Sequence, residues 1–451
     1  MRYLAASILS LSFVALAAGD PTLNDRTLDI DTVVSSGLDT PTGMAFMPNG
    51  KAFVLEQHTG KVRLLDGRNL AANAVLDLTV ANSNEEGLLS IALHPSFATN
   101  GFVYLYYTEA KNFDGGQPVA NRIDRFHWNG TNLTFDRRIK TLPDSPGPNH
   151  NGGKIVFGPD GKLYSVTGDL NRAEKTENFE RSKALSRSAV ILRLNDNGKA
   201  PHDNPFYSAS NRGAKGVLND IYAYGVRNSF GMSFDPVNKT LWDTENGVDQ
   251  WDEINHLKAG SNSGWADIMG PKSHANGNSF KLVKLGPKAR YIDPQLSWHN
   301  VVAPTDLEFE KFGAVNQSRK NDMFVGDFIN GNLYDLPLSS NRKTLALSGG
   351  LLDKIVDNSS DSDLITLGTG FGFISDLVSR PDGMYVLTLD GNLYRVATLG
   401  LPGPPLASTI SATPVPEPST LLYLTICGLI FTRRVRCANL FKFGSQSEPY
   451  E

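Results

Sequence analysis

Gly158-Pro159-Asp160-Gly161, followed after Lys162 by Leu163-Tyr164-Ser165-Val166, pairs a tight turn with a short apolar strand. Pro presets φ, Asp bonds its own backbone, and Gly takes the positive φ that closes a hairpin. The same unit occurs five more times. It is Met47-Pro48-Asn49-Gly50 before Ala52-Phe53-Val54-Leu55, Thr99-Asn100-Gly101 before Phe102-Val103-Tyr104-Leu105, and Asp235-Pro236-Val237-Asn238 before Thr240-Leu241-Trp242. It returns as Lys320-Asn321-Asp322 before Met323-Phe324-Val325 and as Arg380-Pro381-Asp382-Gly383 before Met384-Tyr385-Val386-Leu387. Partner strands follow at Lys61-Val62-Arg63-Leu64, Asn332-Leu333-Tyr334 and Leu393-Tyr394-Arg395-Val396. Spacings of roughly 50 to 85 residues fit one sheet per repeat, and radial repetition protects the sheet edges. The expectation is an all-β, six-bladed β-propeller over residues 20–400.

The two ends read differently from this body. Arg2, the apolar run Leu4 to Leu16 and Ala15-Leu16-Ala17 have the order of a secretory signal peptide over residues 1–19. Residues 401–418 form a Pro/Ser/Thr-rich linker ending in Val415-Pro416-Glu417-Pro418. Leu421 to Phe431 is apolar, and Arg433-Arg434-Val435-Arg436 follows. Residues 415–436 thereby resemble a PEP-CTERM sorting signal with a short membrane segment, ahead of a tail at 437–451. That resemblance implies export across the inner membrane and an exosortase as processing partner, with a periplasmic, surface or extracellular destination.

The only two cysteines, Cys427 and Cys437, lie in this C-terminal region, so the body has no disulfide and no thiolate metal site. A net charge of −4 with both signs interspersed gives no sign of a nucleic-acid or anionic-membrane partner. The sequence leaves the oligomeric state open.

Four segments carry chemistry. Asn84-Glu85-Glu86-Gly87 precedes an apolar strand, and Pro148-Asn149-His150-Asn151-Gly152-Gly153-Lys154 is a loop that sets an imidazole at a strand edge. Neutral imidazole is the usual proton acceptor near pH 7. Tyr224-Gly225-Val226-Arg227-Asn228 offers a guanidinium to hold an oxygen in the channel, or to pair with a carboxylate. Asp243, Glu245, Asp249, Asp252 and Glu253 crowd one short stretch, read either as solvated loop charge or as an oxygen-rich calcium loop. The long loops 143–151, 169–188 and 246–264 are expected at the mouth of the channel.

In this order, from about Gly37 to Val396, the four segments resemble the glucose/sorbosone dehydrogenase family, the soluble quinoprotein sugar dehydrogenases. The resemblance implies a six-bladed propeller that binds pyrroloquinoline quinone and Ca²⁺ and oxidises an aldose-type sugar to its lactone by hydride transfer to the quinone. It implies His150 as the general base, Arg227 and Asn228 against the quinone, and Glu85 as a polar residue near the cofactor. It also implies the Gly247 and Val248 carbonyls on the cofactor Ca²⁺ and Glu253 at a structural calcium. The sequence departs from the family where cations meet the three quinone carboxylates. Ile329 stands in place of a Lys, and Phe373 and Ser375 in place of two Arg. Lys154, Arg172 and Lys272 are the loop cations left to substitute. Two further readings are a calcium-stabilised, non-catalytic propeller that binds carbohydrate or another surface partner, and a calcium hydrolase with carboxylates on the central axis.

Overall fold

The computed structural model describes residues 20–172, 185–275 and 282–404. The signal peptide, linker residues 405–418, the sorting signal with Cys427, and the tail with Cys437 lie outside the described residues. Among those residues no helix is long and apolar enough to cross a membrane.

The chain is an all-β propeller. Its strands fall into six sheets of four to six strands. Each of the six recurring turns lies in its own sheet, joining the first strand of a hairpin to the second. Gly158–Gly161, for example, joins Ile155–Phe157 to Leu163–Thr167, with Val156 opposite Tyr164. The first strands of the six hairpins are Pro41–Phe46, Leu88–Leu93, Ile155–Phe157, Met232–Phe234, Pro304–Phe309 and Ile374–Arg380. Each touches the next, and the last touches the first, so they line a closed ring around one axis. The N-terminal strand Leu28–Val34 closes the circle by pairing antiparallel with Leu393–Thr398, Leu28 opposite Thr398.

Side-chain alternation makes this closure possible. Strands buried on both faces, such as Ala52–Glu56 and Leu163–Thr167, lie in mid-sheet between two neighbouring sheets. Six hydrophobic clusters fill the six gaps between consecutive sheets. One packs Phe53, Leu55 and Val62 on Leu88, Val103 and Leu105 of the next sheet. Fully buried Trp242, Trp298, Tyr104 and Phe324 anchor such gaps, each worth about 1.5–3 kcal/mol of transfer free energy. No disulfide is needed at that scale of burial.

One core position is pH-sensitive. His256 stacks on Trp242 with ring centroids 4.6 Å apart, and its Nε2 is buried without a hydrogen-bond partner. Burial first, then the nearby Lys258 charge, pushes its pKa down to about 4. A depressed folded-state value means that stability is present above the ordinary histidine pKa of about 6.5 and is lost as pH falls toward 4. His256→Phe keeps the ring and should flatten the melting temperature across that window, removing on the order of 1–2 kcal/mol of acid sensitivity. Thermal melts at pH 7, 5.5 and 4.5 check this, and parallel curves for both proteins would refute it.

Candidate active site

Glycine decides how the first site loop meets the sheet. Leu163–Thr167 ends in Gly168, where a Cβ would sit 2.3 Å from the His150 carbonyl oxygen and 2.6 Å from that of Arg227. Without a side chain, the strand end passes between the two loops. The Asp169 N–H donates to the Arg227 carbonyl at 2.8 Å, and Leu170 N–H to that of His150 at 3.3 Å. His150 itself holds φ +62°, uncommon for a residue with a Cβ. Glu85 fixes it there. One oxygen of that carboxyl accepts the His150 N–H at 2.6 Å and the Asn151 N–H at 3.2 Å. The Asn228 amide also donates to Glu85, at 3.1 Å, and its carbonyl accepts from Gly152 N–H at 3.2 Å. Burial pushes the Glu85 carboxyl up from its ordinary range, opposed by the His150 charge and by these donors.

The His150 ring is oriented by Asp169. Nδ1 lies 2.5 Å from Asp169 Oδ1, while Asp169 Oδ2 accepts the Trp265 indole N–H at 2.9 Å. A carboxylate accepting from Nδ1–H makes Nε2 the basic nitrogen. Asp169 was not singled out in the sequence, because nothing in Thr167-Gly168-Asp169 distinguishes it until the loops are brought together. The available signal was a Gly-Asp pair directly after a strand rich in buried residues.

Arg227 donates its backbone N–H to Glu245 at 2.6 Å and one guanidinium nitrogen to the Asn246 carbonyl at 2.8 Å. Its guanidinium carbon lies 5.6 Å from the Trp265 ring centre, and its Nε is buried without a partner. Burial lowers its pKa, against the charges of Asp169, Glu85 and Glu245. The sequence left a carboxylate pairing and a role in the channel open for this arginine. The structure shows the guanidinium on a carbonyl, facing a cavity.

That cavity, of 520 Å³, brings together Glu85, His150, Lys154, Arg227, Asn228 and Asn246 with Phe328, Ile374, Ser375 and Leu389. Gly247, Val248 and Glu253 are not among its lining residues.

Apart from Asp249, exposed in a turn, the acidic segment is not solvated. Leu241–Glu245 and Gln250–Leu257 are paired strands, with Asp243 opposite Asn255 and Glu245 opposite Glu253. Alternation puts all four on one face, inside the protein. Glu253 accepts Gly270 N–H at 2.6 Å and the Asn255 amide at 3.0 Å. Both oxygens of Asp243 and the Asn255 carbonyl oxygen are buried without a hydrogen-bond partner. Burial, aided by mutual repulsion, pushes Asp243 and Glu245 well up, and burial pushes Glu253 up to about 7. Among the described residues, no group of three or more His, Cys, Asp or Glu side chains is arranged to hold a metal ion. The orphaned oxygens still match the oxygen donors that Ca²⁺ prefers. Asp252 takes a separate task, accepting Gly247 N–H at 2.8 Å, Val302 N–H at 2.6 Å and Ala303 N–H at 2.7 Å. It thus fixes the turn where Gly247 is buried and Val248 is 55% exposed.

The loop cations do not replace the missing ones. Lys154 Nζ lies 2.8 Å from Asp306 and 2.6 Å from Asp376, because the ring of first strands brings those carboxylates to the axis. Arg172 donates to the Ser145 carbonyl at 2.9 Å, and Lys272 sits 5.9 Å from the Tyr291 ring; neither lines the cavity. Among the described lining residues, Lys154 and Arg227 are the only Lys or Arg, against the carboxyl groups of Glu85, Glu308 and Asp376. A tricarboxylate such as pyrroloquinoline quinone does not fit this lining, since desolvating unpaired charge costs several kcal/mol.

Comparison with known proteins bears on the family. The family model described as glucose/sorbosone dehydrogenase matches residues 38–395. An uncharacterized protein of Synechocystis sp. is 28% identical over 403 residues, covering 83% of this chain and 90% of its own. Quinoprotein glucose dehydrogenase B of Acinetobacter calcoaceticus is 29% identical over 260 residues, 53% of each chain. A solved glucose dehydrogenase-type oxidoreductase from Thermus thermophilus aligns with TM-score 0.64 at 28% identity, covering 82% of this chain and 99% of that one. With that match running through both site loops and the paired acidic strands, the chain belongs to the glucose/sorbosone dehydrogenase family.

Proposed function

We propose that this chain is an exported oxidoreductase of the sugar dehydrogenase kind, in which each of the six sheets is one propeller blade and the central cavity binds an aldose-type sugar. The observation that carries the reading is the His150–Asp169 contact at 2.5 Å on the edge of that cavity. Nε2 takes the proton of a sugar hydroxyl, Asp169 steadies the resulting imidazolium, and Arg227 with Asn228 orients the oxygen that loses it. The anomeric carbon must then pass its hydride to an uncharged two-electron acceptor, with the hydroxyl proton left on His150, and the product is the lactone. The lining does not fit pyrroloquinoline quinone, so the chain's residues are assigned the sugar and proton half of the reaction. Gly247 and Val248 carbonyls hold one Ca²⁺ and Glu253, beside Asp243, a structural one. Ca²⁺ held at these positions would fix the turn at the first and neutralise buried carboxylates at the second. The leader and the Pro-Glu-Pro tail support export with exosortase processing.

A second reading, a calcium-stabilised propeller that binds carbohydrate without turnover, is favoured by the scarcity of cations in the lining. One experiment separates the two. Residues 20–404 are given Ca²⁺, an aldose panel and an uncharged two-electron acceptor, with and without pyrroloquinoline quinone. Turnover that vanishes in His150→Ala establishes the enzyme. Sugar binding without turnover selects the second reading, and absence of both overturns the proposal. Chelation should lower the melting temperature under either reading, and an unchanged melt would remove calcium from both.

A further inference from the structure

Charge around the axis is arranged in a way that the sugar chemistry does not require. Lys154 enters the cavity from the edge of Ile155–Phe157, and two carboxylates from two other sheets close on it. Asp376 lines the cavity and also accepts Met44 N–H at 2.7 Å. Asp306 lies behind it, 1% exposed, and accepts Leu377 N–H at 2.9 Å. Both acids are therefore pinned by backbone donors as well as by the ammonium, and neither can swing aside to release it. Two carboxyl groups meet one ammonium there. Apolar side chains complete the lining: Phe328, Ile374 and Leu389, with Phe328 stacked on Phe373 at 4.7 Å. Ile329, beside Phe328, is 53% exposed.

We propose that Asp306 and Asp376, by holding Lys154 between them, make the central cavity anion-excluding. Its ligand is uncharged, a neutral sugar or polyol lying on the Phe328 wall, and a polycarboxylate cofactor is rejected. The inference rests on the reading of the cavity as the ligand site. It assigns specificity to Asp306, a residue with no part in proton transfer. Asp306→Asn would leave Lys154 with one carboxylate and so release part of its charge toward the cavity. Ile329→Lys would add an ammonium on an exposed side chain without touching the buried network.

Titration calorimetry in the presence of Ca²⁺ tests this, with pyrroloquinoline quinone as the trianionic probe and glucose, xylose and sorbitol as neutral ones. For the unaltered protein we expect no quinone binding at about 100 µM. Asp306→Asn and Ile329→Lys should each strengthen quinone binding about tenfold or more, the gain shrinking as salt is raised, while neutral-ligand affinity stays within about twofold. Quinone binding by the unaltered protein at about 1 µM or tighter would overturn the inference, as would no gain in a folded Ile329→Lys variant. Failure of every neutral probe would instead count against the cavity as a sugar site. The two failures are thus read in different arms.

Discussion

Asp169→Asn should cut turnover of the sugar by on the order of 10²- to 10⁴-fold while leaving KM and the melting temperature nearly unchanged. The argument is about a proton. With Asp169 as acceptor, the His150 ring carries hydrogen on Nδ1 and a lone pair on Nε2. Asn presents an N–H to the same nitrogen, or a carbonyl to it and an N–H to Trp265, which is itself a donor. Keeping the Trp265 contact puts the amide N–H on Nδ1, at the expense of the Asn171 N–H that Oδ1 accepts at 3.0 Å, and the ring proton on Nε2, where it can no longer accept one from substrate. Steady-state kinetics on the variant check this, and a loss confined to KM would show that Asp169 shapes sugar binding instead. His150→Ala should fall at least as far.

The second large effect is on stability. Lys154→Met should destabilise the protein by about 3–5 kcal/mol, because it leaves two carboxyls buried against each other. Burial, Lys154 and Asp376 are the dominant influences on Asp306, and the net effect already raises its pKa well above the usual carboxylate value. Removing the ammonium removes the main influence holding it down. A raised folded-state value gives stability that is complete at low pH and lost as pH climbs. The variant's deficit should therefore be larger at pH 8 than at pH 5, and adding Asp306→Asn should recover part of it. Denaturant melts at both pH values decide the matter, and a deficit independent of pH would mean that lost packing dominates.

Much of the fold was legible because it is written locally. A Pro-Asp-Gly turn and the strand behind it lie within ten residues of each other, and each such unit entered its own sheet. His150 and Arg227 were legible for a similar reason, as polar residues in glycine-rich loops flanked by strands. Long-range partners were not. The carboxylates on Lys154 come from positions 306 and 376, set beside it only by the curvature of the ring, so the lysine read as a loop cation. Asp243, Glu245 and Glu253 read as loop residues, either solvated or on calcium, because acidic residues seldom fill an interior strand face. Their strand period, positions 243 and 245 against 253 and 255, was the overlooked signal.

The seam between Leu28–Val34 and Leu393–Thr398 has a consequence for how the molecule is made. Its partners are about 370 residues apart, so the ring can be completed only after almost the whole body has been synthesised. Contacts of such separation carry a large loop-closure cost before any return, and they slow folding. Until then, the sheet that holds Asp376 lacks one edge strand, and the apolar face of Leu28–Val34 waits uncovered. The final strand acts as a latch. A chain ending near residue 392 should populate an open, aggregation-prone form, whereas one ending at 404 should refold in a single late closing phase.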